Sequence, residues 1–208
     1  GSEAGKEAGA AAGGATESQE ERLSRMRHSC AHLMAAAVAM LWPQARFGVG
    51  PAVKHGFYYD IELEKPLGPD EFKEIEKKMR WMVNKGWTYE RIELPIDDAI
   101  AEMEKRGQRY KVELLKLLKE KGSTAVAAET GDDSVVGEGG VATVSFYKTG
   151  PFVDLCRGPH VATTSEIGAF KLTNVAGAYW RGDEKNPQLQ RVYGLCFPTE
   201  EELNRHIE

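Results

Sequence analysis

The chain predicts an α+β fold: a mixed, largely antiparallel sheet packed with helices and introduced by a long N-terminal helix that carries an HxxxH motif. Three observations carry that reading. A helical stripe of apolar residues runs from Leu23 to Leu41. Short β-rich segments bounded by glycine and proline recur after it. Strands and helices then interleave without the steady strand–helix–strand rhythm of a parallel sheet.

The elements follow in order. Ser18-Gln-Glu-Glu21 reads as a capping box opening the first helix. Leu23, Met26, Cys30, Leu33, Ala37 and Leu41 form its stripe, and Pro43 stops it. Ala35, Ala36 and Ala39 keep the neighbouring surface small, so another element can come close. Arg46 to Pro51 reads as a Gly-punctuated turn, and Gly56 to Ile61 as an aromatic-rich strand. Gly68-Pro69 opens a second helix through Phe72, Ile75, Met79, Met82 and Val83, closed by Gly86. Trp87 to Leu94 reads as a strand. Ile96, Ala99, Ile100 and Met103 mark a third helix that ends at Gly107, and Tyr110 to Lys119 a short fourth. Gly122 to Gly140 is rich in Gly, Ala, Ser and Asp and reads as a mobile surface loop. Val141–Tyr147, Phe152–Leu155, Phe170–Trp180 and Leu189–Phe197 read as strands. Thr199-Glu-Glu-Glu202 caps a terminal helix.

The first twenty residues contain no large apolar side chain and cannot offset the entropy of ordering, so residues 1–20 read as a disordered arm. Gly1-Ser2 reads as an expression-tag remnant. Residues 21–208 are then one folded unit. The net charge is −5, and the arm sets one lysine against four glutamates, so the folded part is close to neutral. That composition argues against a strong autonomous nucleic-acid binder. Three cysteines without framework spacing point to a reduced, intracellular setting, the cytoplasm or else an organellar stroma or matrix, and no apolar run is long enough to span a membrane.

Two motifs carry the chemistry. His28-Ser-Cys-Ala-His32 places two imidazoles one helical turn apart, beside the apolar stripe and near its boundary with the exposed face. Cys156-Arg-Gly-Pro-His160 adds a thiol and a third imidazole on a strand-end turn. This set can bind zinc or hold and activate a water. Asp154, two residues before Cys156 on a strand, points to the same face. A lone HxxxH is weak and is more often structural; the CxxxH strengthens it. Cys30 and Cys196 read as small core residues. His55 and His206 have no partner motif. Phe57-Tyr58-Tyr59 is more often core than site, although alternation lets one tyrosine line a pocket. Lys111 by itself reads as a solvated lysine.

The stretches Arg27-His-Ser-Cys-Ala-His-Leu33, Gly50-Pro51 with Gly56-Phe-Tyr-Tyr-Asp60, Tyr110-Lys-Val112, Val153-Asp-Leu-Cys-Arg-Gly-Pro-His160, Gly177-Ala-Tyr-Trp-Arg-Gly182 and Leu189-Gln-Arg-Val-Tyr-Gly194 together resemble the editing domain of threonyl-tRNA synthetases. The resemblance spans the chain from about residue 22 to its end. Alanyl-tRNA editing domains are similar in the HxxxH and CxxxH, but the sequence between them here is of the threonyl kind.

The resemblance implies hydrolysis of serine from mischarged tRNA(Thr). It implies that His28, His32, Cys156 and His160 line the hydrolytic centre, and that a histidine acts as general base toward water. Lys111 would bind or polarise the water or stabilise the oxyanion, and Asp154 would anchor the substrate's amino group or orient a histidine. Tyr59 would form a pocket wall. Zinc on the two histidines of the HxxxH, Cys156 and His160 is a possible cofactor, but the threonyl type favours a site that requires none. The expected partners are the serine-carrying 3′ end of tRNA(Thr) and the remaining domains of a parent synthetase, with no membrane. The small domain that often precedes this one, the aminoacylation core and the anticodon-binding region have no counterpart here, so no ATP-dependent charging is expected. Gly122 to Gly140 reads as an insertion between Lys111 and Asp154. Two other readings compete: a freestanding deacylase of alanyl-type specificity, and a non-catalytic zinc or RNA-docking module.

Overall fold

The computed structural model describes residues 16–132 and 142–208. Helix α1 covers Gln19–Leu41. Its capping box is closed from both sides: Glu21 N donates to Ser18 Oγ at 3.1 Å, and Ser18 N donates to the Glu21 carboxylate at 3.4 Å. Strands β1 (Arg46–Phe47), β2 (Ala52–Val53) and β3 (Gly56–Glu62) follow, then α2 (Pro69–Lys85), β4 (Glu90–Pro95), α3 (Ile96–Lys105) and α4 (Arg109–Lys121). Helix α5 (Ser123–Thr130) precedes β5 (Thr143–Thr149), β6 (Phe152–Leu155), β7 (Ala169–Tyr179), β8 (Gln188–Phe197) and α6 (Glu200–Ile207). Thr199 Oγ1 accepts from Glu202 N at 3.2 Å at the start of α6.

All strand pairs among the described residues are antiparallel, and they form two sheets. One has five strands in the order β1-β3-β8-β7, with β2 also on β3; the other has three, in the order β4-β5-β6. Each sheet has its own core. Helices α1 and α2 pack on the larger sheet, where Phe57, Tyr59 and Ile61 of β3 are fully buried. The smaller sheet packs with α3 and α4 around Met103, Tyr110, Leu114, Leu115 and Phe146. The site described below lies where these two cores meet.

Three expectations change. Arg46–Pro51 is more than a turn: its backbone runs along β3, with Gly48 N donating to Asp60 O and Asp60 N to Val49 O. Gly50 permits this, because a Cβ there would enter the Tyr59 ring. The stretch read as a mobile loop contains α5, tied to the β7 end by an ion pair between Glu129 and Arg181. Local composition could not reveal that tertiary contact. Helix α1 is not amphipathic across its middle: Met26 to Val38 are all buried, since the sheet, α2 and the β6 end surround it. His28 and His32 are therefore interior residues and not boundary ones. Residues 1–15 of the arm and residues 133–141 lie outside the described residues; Gln19 and Glu20 belong to α1.

Candidate active site

The middle of α1 sets His28 and His32 one turn apart, and β6 leads into a turn that returns Cys156 and His160 to them. Gly158 shapes that turn. Its φ is 85°, a left-handed value that favours glycine, and a Cβ there would meet the Tyr147 hydroxyl. The peptide between Gly158 and Pro159 is cis. The four donor atoms of His28, His32, Cys156 and His160 all lie within 4.8 Å of one another. His28 Nε2 is 3.1 Å from His32 Nε2 and 3.5 Å from Cys156 Sγ.

A second layer holds these rings. Asp154 Oδ2 accepts from His32 Nδ1 at 2.8 Å and from the Tyr59 hydroxyl at 2.5 Å, and Asp154 Oδ1 faces Lys111 Nζ at 3.0 Å. Lys111 Nζ also donates to Gly48 O at 2.6 Å and to Tyr59 Oη at 3.1 Å. The Pro159 backbone acts on the His28 ring and raises its proton affinity in part. His160 Nδ1 lies 3.0 Å from Ser29 Oγ, and Tyr89 stacks on the His160 ring while Tyr147 meets it edge-on. Carboxylates and hydroxyls behind imidazoles set which nitrogen faces inward.

Burial governs the charges. It pushes His28 down to about 3, with His32 adding repulsion, and it pushes His160 down as well. Both rings are neutral at physiological pH. Burial pushes the Cys156 thiol up, so in the absence of a metal it is a thiol and not a thiolate nucleophile. Asp154 goes the other way. Burial alone raises it, but Lys111 and His32 outweigh burial and hold it well below the usual carboxylate range.

The structure thus brings together every residue singled out from the sequence: His28, His32, Lys111, Asp154, Cys156, His160 and Tyr59. Two of the implied roles meet a different geometry. All three Lys111 ammonium protons have partners in Gly48, Tyr59 and Asp154, so Lys111 supports Asp154 and does not face a water or oxyanion. Both Asp154 oxygens are occupied and the residue is 2 % exposed, which favours orientation of His32 over capture of a substrate amine. Sequence reasoning missed Ser29, Tyr89 and Tyr147. A serine in a buried helical stretch was the available signal for Ser29; the two tyrosines had none, because distant segments deliver them.

A cleft of about 390 Å³ opens at His28 and is lined by Arg25, Pro51, Asp132, Arg157 and Pro159 among others. The four donors also fit zinc. The 3.5 Å between His28 Nε2 and Cys156 Sγ falls within the roughly 3.2–3.8 Å between ligand atoms of a tetrahedral site, the 3.1 Å between the His28 and His32 nitrogens falls just short of it, and the His32 and His160 rings each have an outer partner.

The threonyl and alanyl tRNA synthetase second additional domain matches residues 144–193, which include β6 and the CxxxH. The chain is also 46% identical over 192 residues to the threonine–tRNA ligase of Citrifermentans bemidjiense, covering 92% of this chain and 27% of that protein. Over residues 144–193 the chain matches this second additional domain. The threonine–tRNA ligase of Streptomyces coelicolor is 47% identical over 195 residues, covering 92% of the chain and 29% of that protein. For Acetivibrio thermocellus the figures are 44% over 181 residues, 87% and 25%. The chain spans about a quarter of the length of the curated relatives it matches. No helix among the described residues is long and apolar enough to cross a membrane.

Proposed function

We propose that this domain hydrolyses the ester that joins serine to the terminal adenosine of tRNA(Thr), as the editing part of a cytoplasmic threonyl-tRNA synthetase. The observation that carries the reading is the convergence of three imidazoles and a thiol, one of which, His28, lines a cleft edged by Arg25 and Arg157 together with Glu17, Glu21 and Asp132. Arg157 offers positive charge to the phosphates of an incoming 3′ end, while Arg25 is paired with Glu17 at 2.8 Å. The resemblance and the threonine–tRNA ligase relatives support that substrate class.

In this mechanism a neutral imidazole takes a proton from water as the water oxygen bonds to the ester carbonyl carbon. The tetrahedral intermediate then collapses, the carbon–oxygen bond to the ribose breaks, and the imidazolium returns its proton to the ribose oxygen. Lys111, Tyr59 and Asp154 hold His32 through this sequence. Editing is needed because a synthetic pocket that accepts threonine rejects serine only weakly, one methyl being worth ~1–3 kcal/mol. A second pocket excludes threonine by that same methyl.

The reading requires no metal. Zinc held by His28, His32, Cys156 and His160 would lower the proton affinity of a water at the centre. The test is release of serine from seryl-tRNA(Thr) against threonine from threonyl-tRNA(Thr), with and without chelator, beside a His28→Ala/His32→Ala control. Serine released, threonine spared, chelator without effect and a dead control are expected. Loss of activity in chelator makes the site a zinc site. Equal cleavage of alanyl esters moves the specificity to the alanyl type, and no release at high concentration of the chain overturns the hydrolytic reading.

A further inference from the structure

Ser29 stands between His28 and Cys30 in the sequence, but its side chain leaves the shared face of the two histidines and meets His160 instead. It is fully buried. Three polar groups surround its Oγ: the Arg25 carbonyl at 2.9 Å, the Val161 amide at 2.9 Å and His160 Nδ1 at 3.0 Å. Tyr89 ties the same residue from behind, donating to the Ser29 carbonyl at 2.8 Å while its ring stacks on His160.

Counting protons decides the direction of each bond. A hydroxyl has one proton to give. Two oxygens 2.9 Å apart need a proton between them, and a carbonyl has none, so the Ser29 proton goes to Arg25 O. The Val161 amide donates into Oγ. The contact with His160 then requires the proton on Nδ1. A neutral imidazole carries one N–H, so His160 Nε2 is left with its lone pair. Nε2 is shielded from solvent and has no hydrogen-bond partner among the described residues.

We propose that Ser29 is a positioning residue that locks His160 in its Nδ1–H tautomer, making His160 Nε2 the atom that takes the proton from the attacking water. The proposal rests on the hydrolytic reading above and adds to it which histidine is the base and what sets its tautomer. It makes the serine of the HxxxH segment part of the machinery, acting through the motif's distant partner.

The test joins a spectroscopic and a kinetic measurement on this chain. Histidine ring nitrogens are labelled with ¹⁵N, and the His160 signals are assigned by their loss in His160→Asn. The wild-type chain is expected to show a protonated Nδ1 and an unprotonated Nε2 at this ring. Ser29→Ala should mix the two tautomers, lower kcat on seryl-tRNA(Thr) by about 10–100-fold and leave KM within about two-fold. Ser29→Thr keeps the hydroxyl and should keep the wild-type tautomer. A wild-type ring protonated on Nε2 overturns the proposal, as does a folded Ser29→Ala chain with an unchanged tautomer or with kcat within about two-fold of wild type. If Ser29→Ala does not fold, the wild-type and Ser29→Thr spectra still decide. A chain that shows the Ser29-dependent tautomer yet releases no serine sinks the hydrolytic reading, and with it the base assignment, but leaves the hold of Ser29 on His160 standing.

Discussion

The two faces of strand β3 place adjacent residues in opposite electrostatic circumstances. Tyr59 points to the histidine cluster and donates to Asp154, while Asp60, the next residue, points to the other face and pairs with Arg191 at 2.8 and 3.0 Å. Both carboxylates are buried, at 2 % exposure for Asp154 and 5 % for Asp60. Burial raises the Asp60 carboxyl, Arg191 recovers only part, and Asp132 adds repulsion, so the net shift is upward. Asp154 is held well down by Lys111 and His32 despite deeper burial. Depth does not decide the charge; the number and kind of donors converging on the group do. A carboxylate kept ionised this firmly can hold an imidazole tautomer, which Asp60 has no imidazole to do.

The sharpest way to break this contrast is Asp154→Ala. It leaves Lys111 as a buried charge without its counter-ion and His32 without an acceptor. We expect a loss of ~3–5 kcal/mol in denaturant unfolding and no measurable serine release. A loss below about 1 kcal/mol would mean that Asp154 is no better integrated than a surface group.

Gly50→Ala attacks the same support from the backbone side. Its Cβ would enter the Tyr59 ring, so Tyr59 or the strand must move. The expected cost is ~1–3 kcal/mol, together with reduced activity as the Tyr59 hydroxyl leaves Asp154. Wild-type stability and rate would show that the site does not depend on Tyr59.

Acid should separate the two faces. The folded state holds His28 neutral down to about 3, whereas the ordinary value is 6.5, so the unfolded chain binds a proton that the folded chain refuses. Stability therefore falls as pH drops from 6.5 toward 3. The depressed Asp154 acts in the same sense: its contribution is present above the ordinary carboxylate value and lost as pH falls through its folded value. Asp60, shifted upward, works against both, because it costs stability as pH rises through the carboxylate range. Unfolding midpoints taken in chelator at neutral pH and near pH 4.5 should fall more for wild type than for His28→Asn. Equal falls would show that the acid sensitivity lies elsewhere.

The smallest effect is expected from Asp60→Asn. The Arg191 side chain is 29 % exposed and can turn to water, so the cost should be about 1 kcal/mol with kcat within about two-fold. A large loss of activity would mean that the two faces of β3 are coupled, contrary to the contrast drawn here.

Much of this molecule could be read along the chain. The Ser18 cap, the glycine ends of the helices and the apolar spacing of α2 and α3 are local signals, and the observed helices follow them closely. Strands β3, β6, β7 and β8 followed from residue type and turn punctuation. The spacing within HxxxH and CxxxH foretold four side chains able to converge. The split into two sheets, the pairing of residues 46–53 along β3 and the docking of α5 by Glu129 on Arg181 were not readable, because each depends on segments far apart in sequence. The burial of α1 on every side is of the same kind. Lys111 looked solvated from its neighbours alone and proved 2 % exposed, since its compensating partners among the described residues come from β3, β6 and the chain beside β3.

The sequence by itself determined the elements and the donor atoms, since propensity, capping and periodicity act over a few residues. Tertiary structure alone decided which atom of each donor faces inward. A ring tautomer is set by the partner behind it, and those partners, Asp154 for His32 and Ser29 for His160, come from other elements that only folding brings within hydrogen-bond reach.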